Sequence, residues 1–192
     1  MALVHMGIFV EFTVAQGTAR VECVADSKRD YDPRTDFYKG LRERTIKQFV
    51  GGWDAQEFRR LVREVKTPNK QASYETCRAN LTKWAQNKDI TASKAPNRNW
   101  EAAGLQVRVN PELRMTIDEK KYVVKLYFKA DELTASRREN ALYLLAETAP
   151  QGVDAAILDI RRRKLLIAGE PDPNLDALLV SDAAAFATLL GA

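Results

Sequence analysis

Residues 105–130 read LQVRVNPELRMTIDEKKYVVKLYFKA, and this stretch decides the fold class. Apolar side chains occupy every second position at Leu105, Val107 and Val109, which is the periodicity of a strand with one buried face. Asn110-Pro111 then interrupts the pattern, because proline cannot donate a hydrogen bond to a neighbouring strand. The stretch therefore begins with a strand that ends near residue 109.

Two more strands follow in the same stretch. Residues 114–118 and 122–130 predict a hairpin that turns at Glu119-Lys120, because a short polar step separates two strand-like segments. Strands joined by a turn this short pair in the antiparallel direction. Alternate residues of the last strand are apolar and should face the core. These residues are Val124, Leu126 and Phe128.

The N-terminal half predicts a hairpin followed by three helices. Apolar residues alternate over residues 7–26 around a turn at Gln16-Gly17-Thr18, which is typical of a β-hairpin. Apolar spacings of three and four then indicate helices, with Asp54 as the N-cap of the second. Residues 88–104 lack periodicity and predict an exposed loop. The predicted helices span residues 33–50, 54–66 and 71–87.

The C-terminal part predicts a helix, a hairpin and a final helix. The first helix spans residues 134–147, and the hairpin strands are 155–160 and 164–168. Arg161-Arg162-Arg163 forms the turn between these strands. The final helix begins at Asp172-Pro173, which supplies a cap and a proline at the first helical position, and it ends at Gly191.

The predicted order is therefore ββ-ααα-βββ-α-ββ-α. This order favours an α+β fold with a mostly antiparallel sheet built from hairpins and with the helices grouped on one face. The chain has 192 residues, which fits a single domain over residues 1–192.

Composition argues against several functional classes. His5 is the only histidine, and it lies near the N-terminus, so a catalytic triad with a histidine base is not expected. The sequence has neither the cysteine and histidine spacing of a zinc site nor a glycine-rich phosphate loop, so no cofactor is predicted. Without a signal sequence or a run of roughly 18 apolar residues, the protein is expected in the cytoplasm, with no membrane partner.

Basic residues cluster on three predicted elements of a chain with a net charge of +4. Cations on regular elements, with a tyrosine between two lysines on one strand face, are typical of surfaces that contact phosphates and stack bases. The leading hypothesis is therefore a module that binds DNA or RNA. Its candidate contacts are Arg59 and Arg63 on the second helix, Lys125, Tyr127 and Lys129 on a strand, and Arg161, Arg162 and Arg163 at a turn.

A simpler alternative stands beside this hypothesis. Charged residues on outer faces also keep ordinary domains soluble, and Glu57 and Glu64 can pair with the arginines of the second helix. The chain would then be a protein-interaction or assembly subunit whose partner is another protein.

Glu75, Asp118-Glu119-Lys120 and Lys125 give a second functional alternative. An acidic helix residue, a DxK triplet in a hairpin and the following helix and strand resemble the metal-dependent nucleases of the restriction-endonuclease-like class. The resemblance implies that Glu75 and Asp118 hold Mg²⁺ and that Lys125 assists. The triplet falls at a predicted turn, whereas that class has it along a central strand.

Three further stretches carry a resemblance to a known family. They are YDPRTDFY at residues 31–38, RVNPEL at 108–113 and VKLYFK at 124–129. These strings resemble those of a bacterial protein family to which no activity is assigned. The resemblance implies a bacterial cytoplasmic protein and supplies no function.

Overall fold

The computed structural model describes residues 2–30, 32, 34–170 and 172–191, and it is an α+β protein with two mostly antiparallel sheets. In the described residues the helices are α1 (Met6–Val14), α2 (Thr18–Ser27), α3 (Lys39–Val50), α4 (Ala55–Arg63), α5 (Pro68–Ala85), α6 (Ala135–Glu147) and α7 (Pro173–Leu190). The strands are β1 (Ala2–His5), β2 (Ile90–Lys94), β3 (Arg98–Ala102), β4 (Leu105–Val109), β5 (Leu113–Ile117), β6 (Lys120–Tyr127), β7 (Asp154–Asp159) and β8 (Lys164–Ile167). The predicted fold class is confirmed, and the predicted order of elements matches only in part.

The larger sheet has five strands in the order β2-β5-β6-β7-β8, so β6 lies at its centre. The predicted hairpin is confirmed as the antiparallel pair β5 and β6. Its turn lies one residue earlier than predicted, at Asp118 and Glu119, which have φ values of 48° and 71°. β6 pairs with β7 in the parallel direction, and α6 makes the crossover that a parallel pair requires.

One face of this sheet packs against the helices α3, α4 and α5. Val124, Leu126 and Phe128 lie on this face and are buried, as predicted. They share a core with Leu41 of α3 and Phe58 of α4. Burial of each large apolar side chain contributes roughly 1.5–3 kcal/mol, so this face fixes the register of β6.

The opposite face is also covered, and the prediction that all helices lie on one face is wrong. Val123 and Ile157 are buried there in a second core with Phe9 of α1, Leu144 of α6 and Phe186 of α7. The smaller sheet, in the order β1-β4-β3, contributes to the same core. Val123 and Val124 are adjacent in β6, so their side chains lie on opposite faces of the sheet. Both faces of β6 are therefore apolar, as a strand that is buried on both faces requires.

The hairpin predicted over residues 7–26 is also wrong, since the chain there forms α1 and α2. Met6, Phe9 and Val10 are buried at helical spacing, and Phe12 adds a fourth buried side chain. A short helix buried on several sides has apolar residues at both alternations, so its sequence also fits a strand. The strand in this region is β1, which pairs with β4 in parallel.

Residues 88–104 form two strands rather than an exposed loop. β2 pairs with β5, and β3 pairs with β4 through a turn at Ala103-Gly104, where φ is 46° and 83°. Trp100 of β3 is buried in the second core. β2 and β3 contain mostly polar residues, so their structure depends on pairing with neighbouring strands rather than on their own periodicity.

The sequence signals for helix ends at Asp54, Asp172 and Gly191 are confirmed. Asp54 accepts hydrogen bonds from Gln56 N and Glu57 N, and Asp172 accepts one from Asn174 N. Gly191 ends α7 in the left-handed conformation. α3 begins at Lys39 rather than near residue 33, and Pro33 itself lies outside the described residues.

Within the part of the chain that the structure describes, the helices are too short or too polar to span a bilayer. α7 is the most apolar of the long helices, but its Asp182 pairs with Arg20. α7 packs on the second core.

Coverage of the five-stranded sheet on both faces predicts that truncation on either face is costly. Leu126→Ala and Ile157→Ala should each lower the free energy of unfolding by about 2–5 kcal/mol, since both side chains are buried, on opposite faces. Ile167→Ala on the edge strand β8 is the control, with 46% of the residue exposed, and should cost about 0.5 kcal/mol or less. Urea unfolding measures all three. A large loss on one face alone would contradict the two-faced core.

Candidate nucleic-acid interface

The strand face that was predicted to present Lys125 to a ligand uses this lysine inside the protein. Lys125 Nζ lies 2.7 Å from the backbone oxygen of Asn110 and 2.9 Å from Glu112 Oε1. Glu112 is buried, and its second carboxylate oxygen accepts the backbone N–H of Leu126 at 2.8 Å. A buried carboxylate needs a cation and hydrogen bonds, so Lys125 serves Glu112.

Tyr127 and Lys129 do not complete an open platform either. The Tyr127 hydroxyl donates to the backbone oxygen of Asp131 at 2.8 Å, and the tyrosine ring packs against the second core. Burial raises the pKa of this hydroxyl, so Tyr127 stays neutral. Lys129 lies beyond the end of β6 and is exposed. The structure therefore leaves one exposed cation where the sequence predicted a stacking surface.

The arginine turn between β7 and β8 is largely structural as well. Arg161 donates to Ser73 Oγ at 2.6 Å and to the backbone oxygen of Phe128 at 3.1 Å. Arg162 pairs with the buried Asp159 at 3.2 Å. Arg163 is the exposed member of the three.

Glu75, Asp118 and Lys125 do not form one site in the described structure. Glu75 pairs with Arg78, and Asp118 accepts the backbone N–H of Asp89. Lys125 lies five residues along β6 from Lys120, which is about 17 Å at the rise of a strand. In the described part of the chain, no group of three or more histidine, cysteine or acidic side chains could hold a metal ion. The geometry expected for the nuclease alternative is therefore not present.

Arg59 and Arg63, by contrast, line a groove between α4 and α5. Phe58 and Val62 face the core, so the arginines on the other side of α4 point away from it and are exposed. The groove has a volume of about 520 Å³. Its lining consists of Ala55, Gln56, Arg59, Arg60, Arg63, Glu64, Arg78 and Thr82.

Arg78 brings a fourth guanidinium to this groove from α5. Its side chain is only 7% exposed and binds Glu75 through two contacts, of 2.6 and 2.8 Å. The hydrogen bonds from Arg78 hold the pKa of Glu75 below its usual value, and the charges of Arg59 and Arg63 lower it further. Glu75 therefore lies within the field of three of the four arginines.

The three arginines of α4 differ from Arg78, which is paired with Glu75. Arg59, Arg60 and Arg63 form no salt bridge within the residues that the structure describes. A guanidinium presents five N–H donors and no acceptor, which suits it to bind an anion. Because these three arginines form no salt bridge in the described residues, an anion can bind them without breaking one.

The groove and the arginine turn do not share a surface. The turn contacts α5 through Ser73 and Asn80, which lie on the same side of this helix. Successive helical residues are rotated by about 100°, so Arg78 and Thr82 lie roughly 140° and 180° around α5 from Ser73. The predicted basic clusters therefore occupy opposite flanks of α5.

Sequence reasoning identified Arg59 and Arg63 but missed Arg78. Glu75 and Arg78 are three residues apart on α5, and this spacing is itself a signal for an ion pair. The sequence has no signal for the convergence of α4 and α5, because their packing brings the four arginines together.

Comparison with known proteins adds no family to this description. No protein-family model matches the chain, and no curated protein matches it either.

The contacts of Arg161 predict that this residue stabilises the fold. Arg161→Ala removes the guanidinium that donates to the Phe128 carbonyl and the Ser73 hydroxyl, which should lower the free energy of unfolding by about 1–3 kcal/mol. Arg163→Ala is the matched control at the same turn and should change it by about 0.5 kcal/mol or less, because Arg163 is exposed. Equal stabilities in urea unfolding would contradict the structural role.

Proposed function

We propose that this protein binds nucleic acid through the groove between α4 and α5. The observation that carries the proposal is the convergence of Arg59, Arg60 and Arg63, all without an acidic partner in the described residues, with Arg78 around one concavity. Arginine is well suited to phosphate because its planar fork donates two parallel hydrogen bonds to two oxygens.

The lining of the groove favours contacts to the phosphate backbone. Arginines and short side chains surround the groove, and none of the described residues that line it is aromatic. Aromatic stacking, which adds affinity for the bases of single strands, therefore has no partner there. We expect binding that depends little on sequence and strongly on salt, since phosphate contacts release counterions.

The proposed activity is binding without catalysis. Glu75 is the carboxylate that Arg78 binds, and Arg78 already engages both of its oxygens. A function on intracellular nucleic acid agrees with the cytoplasmic location that the composition favours. The location remains part of the proposal.

The proposal predicts that the α4 arginines contribute to affinity. Arg59→Gln with Arg63→Gln should weaken binding of a single-stranded oligonucleotide about tenfold or more at low salt, because two charge-assisted contacts are lost. The slope of log affinity against log salt should fall by about 1.4, since each phosphate contact on a single strand contributes about 0.7. Fluorescence anisotropy over a range of salt concentrations measures both quantities.

Arg163→Gln with Lys164→Gln is the matched control for this experiment. Both residues are exposed, and the double variant loses the same two charges at the arginine turn, on the opposite flank of α5. Its affinity and salt slope should stay close to those of the unchanged protein. If the two double variants lose affinity equally, net charge and not the groove explains the binding. Absence of binding at low salt would contradict the proposed function itself.

A further inference from the structure

The charge around the groove exceeds what one internal phosphate of a nucleic acid can neutralise. Arg59, Arg60, Arg63 and Arg78 carry four positive charges, and Glu64 and Glu75 carry two negative ones, which leaves two positive charges. An internal phosphodiester carries a single negative charge. A terminal phosphate monoester carries about −1.5 to −2 at pH 7. One monoester therefore matches this charge at a single position, whereas diesters would have to supply two phosphates.

Glu75 marks the position of an oxyanion on Arg78, beside the groove that Arg78 lines. Its two carboxylate oxygens accept from Nη2 and Nε of Arg78, which is the arrangement that two oxygens of a phosphate adopt on arginine. The side chain of Glu75 is 45% exposed, whereas that of Arg78 is 7% exposed. A ligand that takes the place of this carboxylate on Arg78 must therefore compete with Glu75.

The shape of the groove also favours a strand end. Its volume of about 520 Å³ lies within the range of pockets that hold one small molecule, which is about 300–1,000 Å³. An internal phosphate is attached to a sugar on both sides, so the nucleic-acid strand must both enter and leave the groove. A terminal phosphate is attached on one side and presents three free oxygens to the four guanidiniums.

We propose that the groove binds the terminal phosphate monoester of a nucleic-acid strand, in preference to the internal phosphodiesters. This inference rests on the proposed function and names the ligand chemistry of the same site. Arg78 and the α4 arginines hold the terminal phosphate. Glu75 competes with the ligand for Arg78, and the single charge of a diester displaces this carboxylate less readily than the higher charge of a monoester.

The first test compares three oligonucleotides of one sequence, with a 5′ phosphate, a 3′ phosphate or no terminal phosphate. At pH 7.5 and moderate salt, at least one phosphorylated form should bind about tenfold more tightly in fluorescence anisotropy, as expected for one strong additional contact. An unphosphorylated oligonucleotide that is one nucleotide longer controls for charge, because its added charge is a diester. It should bind like the shorter unphosphorylated strand.

The preference should also depend on pH in one direction. The monoester loses its second charge below its pKa of about 6, so its advantage should shrink at pH 5. Arg78 and its neighbours lower the pKa of Glu75 from its ordinary value of 4.5, so this carboxylate stays ionised at both pH values. An advantage that is equal at pH 5 and pH 7.5 would contradict recognition of the dianion.

Glu75→Gln isolates the competing carboxylate, and Glu64→Gln is the matched control. Glu64 lines the same groove, but among the described residues it forms no salt bridge or hydrogen bond with Arg78. Glu75→Gln should strengthen binding of the unphosphorylated strand and reduce the preference severalfold, because Arg78 becomes available to a diester. Glu64→Gln should strengthen both strands alike, and equal effects of the two variants would contradict the role of Glu75.

The outcomes separate the two proposals. If the unchanged protein binds phosphorylated and unphosphorylated strands equally, and Arg59→Gln with Arg63→Gln weakens both, the preference for the terminal phosphate is wrong and nucleic-acid binding remains. If no oligonucleotide binds at low salt, the proposed function fails. If a nucleoside monophosphate binds as tightly as the phosphorylated strand, the ligand is a free nucleotide and both proposals are overturned.

Discussion

Burial of the central strand β6 on both faces is the constraint on which the remaining structure depends. Val124 and Leu126 bury one face against α3, α4 and α5, and Val123 lies in the second core with α1, α6 and α7. A strand in this position cannot slip by one residue, because every side chain would move to the other core. The helices are therefore divided between two faces, and β6 fixes the position of both groups.

The same burial decides which basic residues remain available to a ligand. Lys125 lies on the covered strand and neutralises Glu112, which is 6% exposed. Arg161 and Arg162 support the end of the sheet through Ser73, Phe128 and Asp159. Cations close to the core satisfy buried acceptors, since an unpaired buried polar group is costly. The outer side of α4 is exposed, and among the described residues its arginines form no ion pair.

The groove between α4 and α5 owes its chemistry to this difference. Asp54 caps α4, and burial of Phe58 and Val62 in the core decides which side of the helix faces inward. The arginines on the other side then meet Arg78 of α5 across the groove. Phosphate recognition is the function that this arrangement supports best, because four donors with delocalised charge converge on one concavity.

The sequence by itself determined the features that depend on a few neighbouring residues. The alternation in residues 113–128, the caps at Asp54 and Asp172 and the stop at Gly191 all act within one strand or one helical turn. For this reason the central hairpin, its buried face, the start of α4 and both ends of α7 could be predicted.

Only the tertiary structure decided which elements surround β6 and which cations are free. Residues 6–14 are apolar in a pattern that fits a helix or a strand, and packing in the second core selects the helix. Arg161 reaches Ser73 across 88 residues of sequence, and Lys125 reaches Glu112 across 13. Partners this distant leave no local pattern, because chain folding brings them together. Among the described residues, the α4 arginines have no such partner.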